Sequence, residues 1–230
     1  MISIYAPVGF PEIQPGDNLA AIILRQCQLE QSDVVVVTSK IVSKAENRIV
    51  TLDPNDDRAF EKLILSESRR ILRRRGELLI TETHHGFVCA NAGIDRSNIE
   101  QGKAVLLPVD SDLSARKIRE QIKAKTGLEI GIIISDTFGR TWRRGVVDIA
   151  LGCAGIGAIL DLRGTTDNFG NILRATEIAL ADEIASAADL AKPKSKQTPV
   201  AIVRGIDPNY FRTSSISEEV IRPPSEDLFR

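Results

Sequence analysis

Between Gly131 and Gly145 the sequence GIIISDTFGRTWRRG passes from a wholly apolar run to a cluster of acid, hydroxyl and guanidinium groups. Ile132, Ile133 and Ile134, leading to Ser135, predict a short strand covered on both faces, because β-branched side chains pack well on a pleat between two layers. Beyond that strand, Asp136 and Thr137 offer hard oxygen atoms and Gly139 permits a tight turn. Arg140, Arg143 and Arg144 follow within eight positions of the acid. An acid and a hydroxyl at a strand exit suit Mg²⁺ or Mn²⁺, which prefer oxygen ligands. Arginines beside them suit the phosphate or carboxylate groups that such a metal bridges. A capped turn next to a solvated basic surface is the plainer reading of the same residues.

The remaining chain alternates strand and helix signals. Residues 2–5 predict a first strand, and Asp17 a cap for a helix over 18–29 with Leu19, Ile22, Ile23 and Cys27 at helical spacing. Val34 to Val37 is the strongest strand signal and runs into Thr38-Ser39-Lys40-Ile41-Val42-Ser43-Lys44. Two hydroxyl and lysine pairs at the carboxyl end of a strand are chemically suited to phosphate; a solvated edge is the alternative. The apolar stripe Phe60, Leu63, Ile64, Ile71 and Leu72 predicts a helical insert at about 57–75 with a basic last turn. Strands follow at 78–81 and 87–90, joined through His84 and His85. Neighbouring strand residues point to opposite faces, so these two histidines are structural rather than joint ligands. The second of these strands leaves through NAGIDRSN, an Asx-rich turn whose Asp95 can join Asp136 in a metal site. A strand at 104–107 ends at Pro108. A helix capped by Asp110 or Ser111 ends at the left-handed glycine Gly127. Further expectations are a strand at 156–162, a loop at 163–171, a helix at 175–190, a basic link at 192–196 and a last strand at 200–203.

Composition excludes more than it assigns. The 230 residues are 43% apolar and 27% charged, as in an ordinary globular protein, and have no linker between strand and helix signals; one mixed α/β (α+β) domain over 1–230 follows. A net charge of −1 and 4% aromatic residues give neither a basic field nor a stacking platform for nucleic acid. Cys27, Cys89 and Cys153 are odd in number and lack CxxC spacing, which predicts reduced thiols. No apolar run approaches the ~20 residues that span a bilayer, so no membrane partner and a cytoplasmic location are expected. There is no GxxxxGK[ST], no GxGxxG after a strand and no GxSxG. Nucleotide phosphates would then rest on metals, lysines and backbone amides.

Four motifs stand in order: GFPEIQPGD at 9–17, DVVVVTSKIVSK at 33–44, NAGIDRSN at 91–98 and SDTFGRTWRRGVVD at 135–148. With TEIALADEIASAADL at 176–190 and PVAIVRG at 199–205, they closely resemble the coenzyme F-420-0:L-glutamate ligase family. The closing RPPSEDLF resembles its bacterial branch, which implies a bacterial-type member without the nitroreductase-like domain that some such members carry. The resemblance implies a γ-glutamyl ligase-like mixed α/β fold and an intertwined homodimer. It implies a GTP-dependent reaction that joins L-glutamate to the coenzyme precursor through an acyl phosphate, with release of GDP and phosphate. Two Mg²⁺ or Mn²⁺ ions per site and an assisting K⁺ are implied as well.

Residue by residue, Asp95 and Asp136 match the family's aspartates for one metal, and Thr137 a ligand of the second. Gly9, Phe10, Pro11, Glu12, Ser39, Lys40, Lys44 and Asn98 match its GTP contacts. Arg143, with Arg140 and Arg144, is assigned on charge to the precursor's carboxylate or phosphodiester. The chain departs from the pattern at Ala191-Lys192-Pro193-Lys194-Ser195-Lys196-Gln197, where archaeal members carry a carboxylate or amide and a glycine-rich loop. The second metal's coordination and the preference for GTP turn on that departure. Three other readings share the motifs: a folate γ-glutamyl ligase, a metal-dependent phosphohydrolase, and a non-catalytic nucleotide-binding dimer.

Overall fold

A computed structural model of the chain describes residues 1–97, 99–192 and 198–228. Strands β1 (Ser3–Tyr5) and β2 (Val34–Thr38) flank helix α1 (Leu19–Gln26), and β2 passes directly into α2 (Ser39–Ala45). After β3 (Ile49–Thr51) and α3 (Ala59–Ser66) come β4 (Ser68–Arg75), β5 (Leu78–Thr83), β6 (Val88–Ala90) and β7 (Lys103–Val105). Helix α4 (Ser111–Thr126) leads to the long hairpin β8 (Gly131–Arg140) and β9 (Arg143–Ala154). The chain closes through β10 (Leu160–Asp161), β11 (Glu177–Ile178), α5 (Leu180–Asp189), β12 (Val200–Arg204) and the short helix α6 (Ile216–Glu219).

The main sheet runs β1-β12-β2-β8-β9, and within it only β2 and β8 are parallel. Its two faces are both buried, as the unbroken β-branched runs require. Val35, Val37, Ile132, Ile134 and Ile202 face α1 and α4, while Val34, Val36, Ile133 and Val203 face α5. Val34 to Val37 and Ile132 to Ile134 are wholly inaccessible to solvent. A smaller core gathers Ile64, Leu79, Ala104 and Leu106 between α3, β5 and β7. The mixed α/β class and the two-sided burial therefore stand as the sequence predicts.

Caps set the helix ends. Asp110 accepts the Leu113 N–H at 2.8 Å to start α4, and Gly127, at φ 73°, ends it. At α1 the cap is Asn18, which accepts the Ala21 N–H; Asp17 turns back to the Gln14 N–H instead, and the helix stops at Gln26. Gly152 on β9 lets the first turn of α4 rest on the sheet, since a Cβ there would fall 2.2 Å from the Ser111 carbonyl carbon.

Several expected elements change. The helix over 57–75 is a helix only through Ser66; Ser68 to Arg75 is strand β4, paired with β5. The basic run finds acids on β5 and on α3 rather than a dipole to complement. Arg70 meets Glu82 at 2.7 Å and Arg74 meets Glu61, while the Ser68 hydroxyl caps the Ile64 carbonyl and closes the helix. Tertiary pairing overrides helical spacing here. The strand expected to stop at Ser135 continues five residues further to Arg140, because β9 supplies its hydrogen-bond partners. Of residues 156–162 only Leu160 and Asp161 form a strand; the Gly157 and Ala158 N–H groups go to Tyr210 and Ser214 instead. The helix at 175–190 begins at Leu180, after Glu177 and Ile178 pair with β10. Of the basic link at 192–196, Lys192 is the member within the described residues. No described helix is long and apolar enough to cross a membrane.

Candidate active site

The parallel neighbours β2 and β8 end together: Thr38 lies opposite Ser135, the last pair in their register. Beyond that pair the chains diverge, β2 into α2 and β8 into its hairpin with β9. The carboxyl ends of parallel strands that part in this way leave a crevice, where ligands of open α/β sheets bind. Asp136 is the first β8 residue past the pair, and Ser39 and Lys40 are the first past it on α2.

Lys40 reaches across to the 91–97 turn. Its Nζ lies 2.6 Å from Asp95 Oδ2 and donates to the Ser97 carbonyl oxygen at 2.8 Å. The Ser97 N–H donates to Asp95 Oδ1 at 2.6 Å. Burial acts to raise the Asp95 carboxyl, but Lys40 and the Ser97 donors outweigh it and hold it below the ordinary carboxylate range. Asp136 goes the other way. Burial pushes its carboxyl up to about 7; the charges of Asp148 and Asp95 add to the rise, while the Thr137 N–H and Lys40 oppose it. Asp95 and Asp136, 41 positions apart in the sequence, thus share one electrostatic neighbourhood with Lys40. The buried Cys89 thiol lies there too, raised to about 12 by burial and then by the Asp136 charge.

A second cluster occupies the other face of the hairpin, since successive strand residues alternate. Thr137 stands opposite Asp148 in the β8–β9 register and its hydroxyl donates to Asp148 Oδ1 at 2.7 Å. Asp148 Oδ2 accepts from the Ser135 hydroxyl at 3.1 Å and lies 2.9 Å from Lys192 Nζ. The Lys192 and Asp148 side chains are only 6% and 5% exposed, so this ion pair is sealed from water. Lys192 Nζ also donates to Ser135 Oγ at 3.1 Å.

The other candidates fall around α2 and the hairpin tip. Lys44, buried on α2, pairs with Glu12 at 2.5 Å and so ties the 9–12 loop to this helix. Gly9 takes a left-handed φ of 86°, Phe10 packs against the main core, Pro11 and Glu12 are exposed and Ser39 is buried. Asn98 lies outside the described residues. Arg143 is exposed at the hairpin tip, paired in register with Arg140. That is four strand positions past Asp136, or roughly 13 Å at strand rise. Within one chain the structure brings Asp95, Asp136 and Lys40 together, and Glu12 with Lys44, but does not bring Arg143 beside them. Asp148 and Lys192 are the residues that sequence reasoning left unassigned. Had the hairpin been foreseen, its register would have set Asp148 against Thr137; Lys192 carried no such signal.

Among the described residues no three acid, imidazole or thiolate side chains converge tightly enough to enclose a metal ion. Two carboxylates within electrostatic reach of each other, one of them driven toward its protonated form, still fit Mg²⁺ or Mn²⁺. These ions are commonly held by one or two carboxylates, with water and substrate phosphate completing the shell.

The F420-0:Gamma-glutamyl ligase family model matches residues 7–205. A coenzyme F420:L-glutamate ligase of Methanopyrus kandleri is 38% identical over 95% of this chain and 94% of its own length. Proteins of the same name from Methanothermobacter thermautotrophicus and Archaeoglobus fulgidus are 37% and 38% identical; each alignment spans all of this chain, with 99% and 96% of the relatives' lengths.

Proposed function

The chain belongs to the F420-0:Gamma-glutamyl ligase family, and from that premise we propose that it is a GTP-dependent ligase joining L-glutamate to the coenzyme F420-0 precursor. The observation that carries this reading is the near full-length match to relatives named for that reaction. The crevice supports it, because its side chains suit phosphoryl transfer without a Walker loop.

A carboxylate is a poor electrophile, since it would have to expel an oxide. In the proposed reaction a carboxylate oxygen of the precursor takes the γ-phosphoryl group as the bond to the GDP oxygen breaks. The amine nitrogen of glutamate then attacks the resulting acyl phosphate at its carbonyl carbon. The carbon–oxygen bond breaks, phosphate leaves with the electron pair, and the nitrogen loses a proton. Catalysis of such transfers rests on positioning and charge neutralisation. Asp95, Asp136 and Thr137 would hold Mg²⁺ or Mn²⁺, two ions in all, with K⁺ assisting; when bound, these cations neutralise charge on the phosphate oxygens. Lys40 pairs with Asp95 and helps hold it ionised; were a cation bound at Asp95, Lys40 would be free to turn to a phosphate. Ser39, Lys44 and the 9–12 loop stand around the same helix, where they would line the nucleotide. Asn98 would join them.

The protein is proposed to act as a cytoplasmic homodimer. The hairpin arm supports this, because Trp142 and Val146 are 89% and 56% exposed on it, and burial of such a tip against a second copy removes apolar surface from water. A dimer would also give Arg143 a site to serve. The test is incubation with GTP, Mn²⁺, L-glutamate and precursor, followed by the mass of the product. Gain of one or more glutamyl residues that depends on GTP supports the ligase. Phosphate release without glutamate dependence, or GTP binding without turnover, would sink it.

A further inference from the structure

Lys192 and Asp148 are an expensive pair to bury. Sealed ion pairs seldom add net stability over apolar residues of the same shape, so their geometry invites a functional account. Each partner points at the strand that carries the proposed metal ligands. Lys192 draws on Asp148 Oδ2 at 2.9 Å and on Ser135 Oγ at 3.1 Å. Asp148 Oδ1 in turn takes the Thr137 hydroxyl proton at 2.7 Å. An ionised carboxylate can only accept, so the hydroxyl must spend its single hydrogen inward, and its lone pairs are left facing away from Asp148. A threonine hydroxyl without such a partner rotates and can present a hydrogen to a cation, which repels it.

We infer that Lys192 is a positioning residue: by clamping Asp148 it fixes the Thr137 hydroxyl as a pure acceptor toward the second cation, the one assigned to Thr137. This rests on the reading that Thr137 contacts a bound cation. It also accounts for the lysine at the start of the 191–197 departure: its charge fixes a ligand instead of providing one. Groups that hold a metal ligand in orientation typically change metal affinity by about 10–100-fold when removed.

The test is Mn²⁺ binding to the nucleotide-free protein, followed by electron paramagnetic resonance, so that no turnover is needed. Lys192→Met alone would strand a buried carboxylate and alter the local charge, so the pair is exchanged together as Asp148→Asn with Lys192→Met. That exchange keeps shape and net charge. The asparagine amide can turn and donate to Thr137, which cancels its acceptor role. The expected result is a loss of Mn²⁺ affinity of about 10-fold or more. Thr137→Val should lose a similar factor, and adding the pair exchange to Thr137→Val should cost no more than a further twofold. Unchanged affinity in the pair exchange overturns the inference, as does a full multiplication of the two losses, which marks independent effects. Unchanged affinity in Thr137→Val overturns it together with the assignment of Thr137. In either case the ligase reading is judged separately, by product mass.

Discussion

Replacing Asp136 with asparagine should make the metal-free protein more stable at alkaline pH, the opposite of the usual effect of altering a partly buried side chain. The carboxyl's ordinary value is 3.8, and burial, reinforced by Asp148 and Asp95, carries it to about 7. For an acid raised on folding, the native state binds the extra proton. Stability from this group is therefore whole below 3.8, declines as pH rises toward 7 and stays low above it. At 1.36 kcal/mol per pH unit, the full decline is at most about 4 kcal/mol. Asparagine keeps the shape and can still accept the Thr137 N–H, the 2.9 Å bond that Asp136 Oδ1 makes, but it has no charge to bury.

Urea unfolding in the presence of a chelator, at pH 4.5, 6 and 8, measures the effect. Relative to the parent protein, D136N should gain about 2–3 kcal/mol between the first and last of these, most of it by pH 7. Saturating Mn²⁺ should cancel most of that gain at pH 8. A ligand at 100 times its Kd stabilises the protein that binds it by about 2.7 kcal/mol, and on the proposed reading the variant lacks one of the metal's ligands. A stability difference that does not vary with pH would refute the electrostatic account of the crevice. So would a metal-free variant less stable than the parent at pH 8.

Lys40→Met removes a positive charge that holds both acids down, so the midpoint of Asp136 should move above 7; the pH dependence of Mn²⁺ binding reports it. Arg143→Ala should raise KM for the precursor more than KM for GTP, and steady-state kinetics with each substrate varied decides it. Asp112 is 4% exposed and accepts the Cys153, Ile216 and Ser217 N–H groups as well as the Ser217 hydroxyl. In D112N an amide NH₂ must face some of these donors, at a cost of about 2–4 kcal/mol in denaturant unfolding. Gly152→Ala pushes a Cβ into the Ser111 backbone, 2.2 Å from its carbonyl carbon. Overpacking of this kind costs about 2–3 kcal/mol, or roughly 5–10 °C in Tm by calorimetry.

The interior was legible in the sequence because burial on two faces leaves a mark in one dimension. Val34–Val37 and Ile132–Ile134 are continuous apolar runs, and both proved wholly buried. The ends of α4 were legible for a similar reason, since Asp110 and Gly127 act within their own helical turn. What stayed hidden depends on partners far along the chain. The segment Asp136–Arg140 has the glycine, hydroxyl and charge content of a loop, yet it is strand because Arg143 to Ile149 complete its ladder. RRILRRR fits helix or strand equally; its antiparallel pairing with β5 decides the matter.

The same distinction divides the crevice. Asp95, Asp136 and Lys40 each stood out as chemistry at a strand exit, but only the parallel register of β2 with β8 sets α2 across from the 91–97 turn and makes them neighbours. Lys40 looked like a phosphate ligand, and in the folded chain it is also the counter-ion of Asp95. On the proposed ligase reading, Lys40 would serve both ends only if a cation and a phosphate arrived together, the cation taking the place of the ammonium at Asp95 and freeing it for the phosphate. Nucleotide binding should therefore be coupled to metal binding through Lys40. This coupling is a property of three side chains brought together by a single strand pairing, and no local pattern in the sequence contains it.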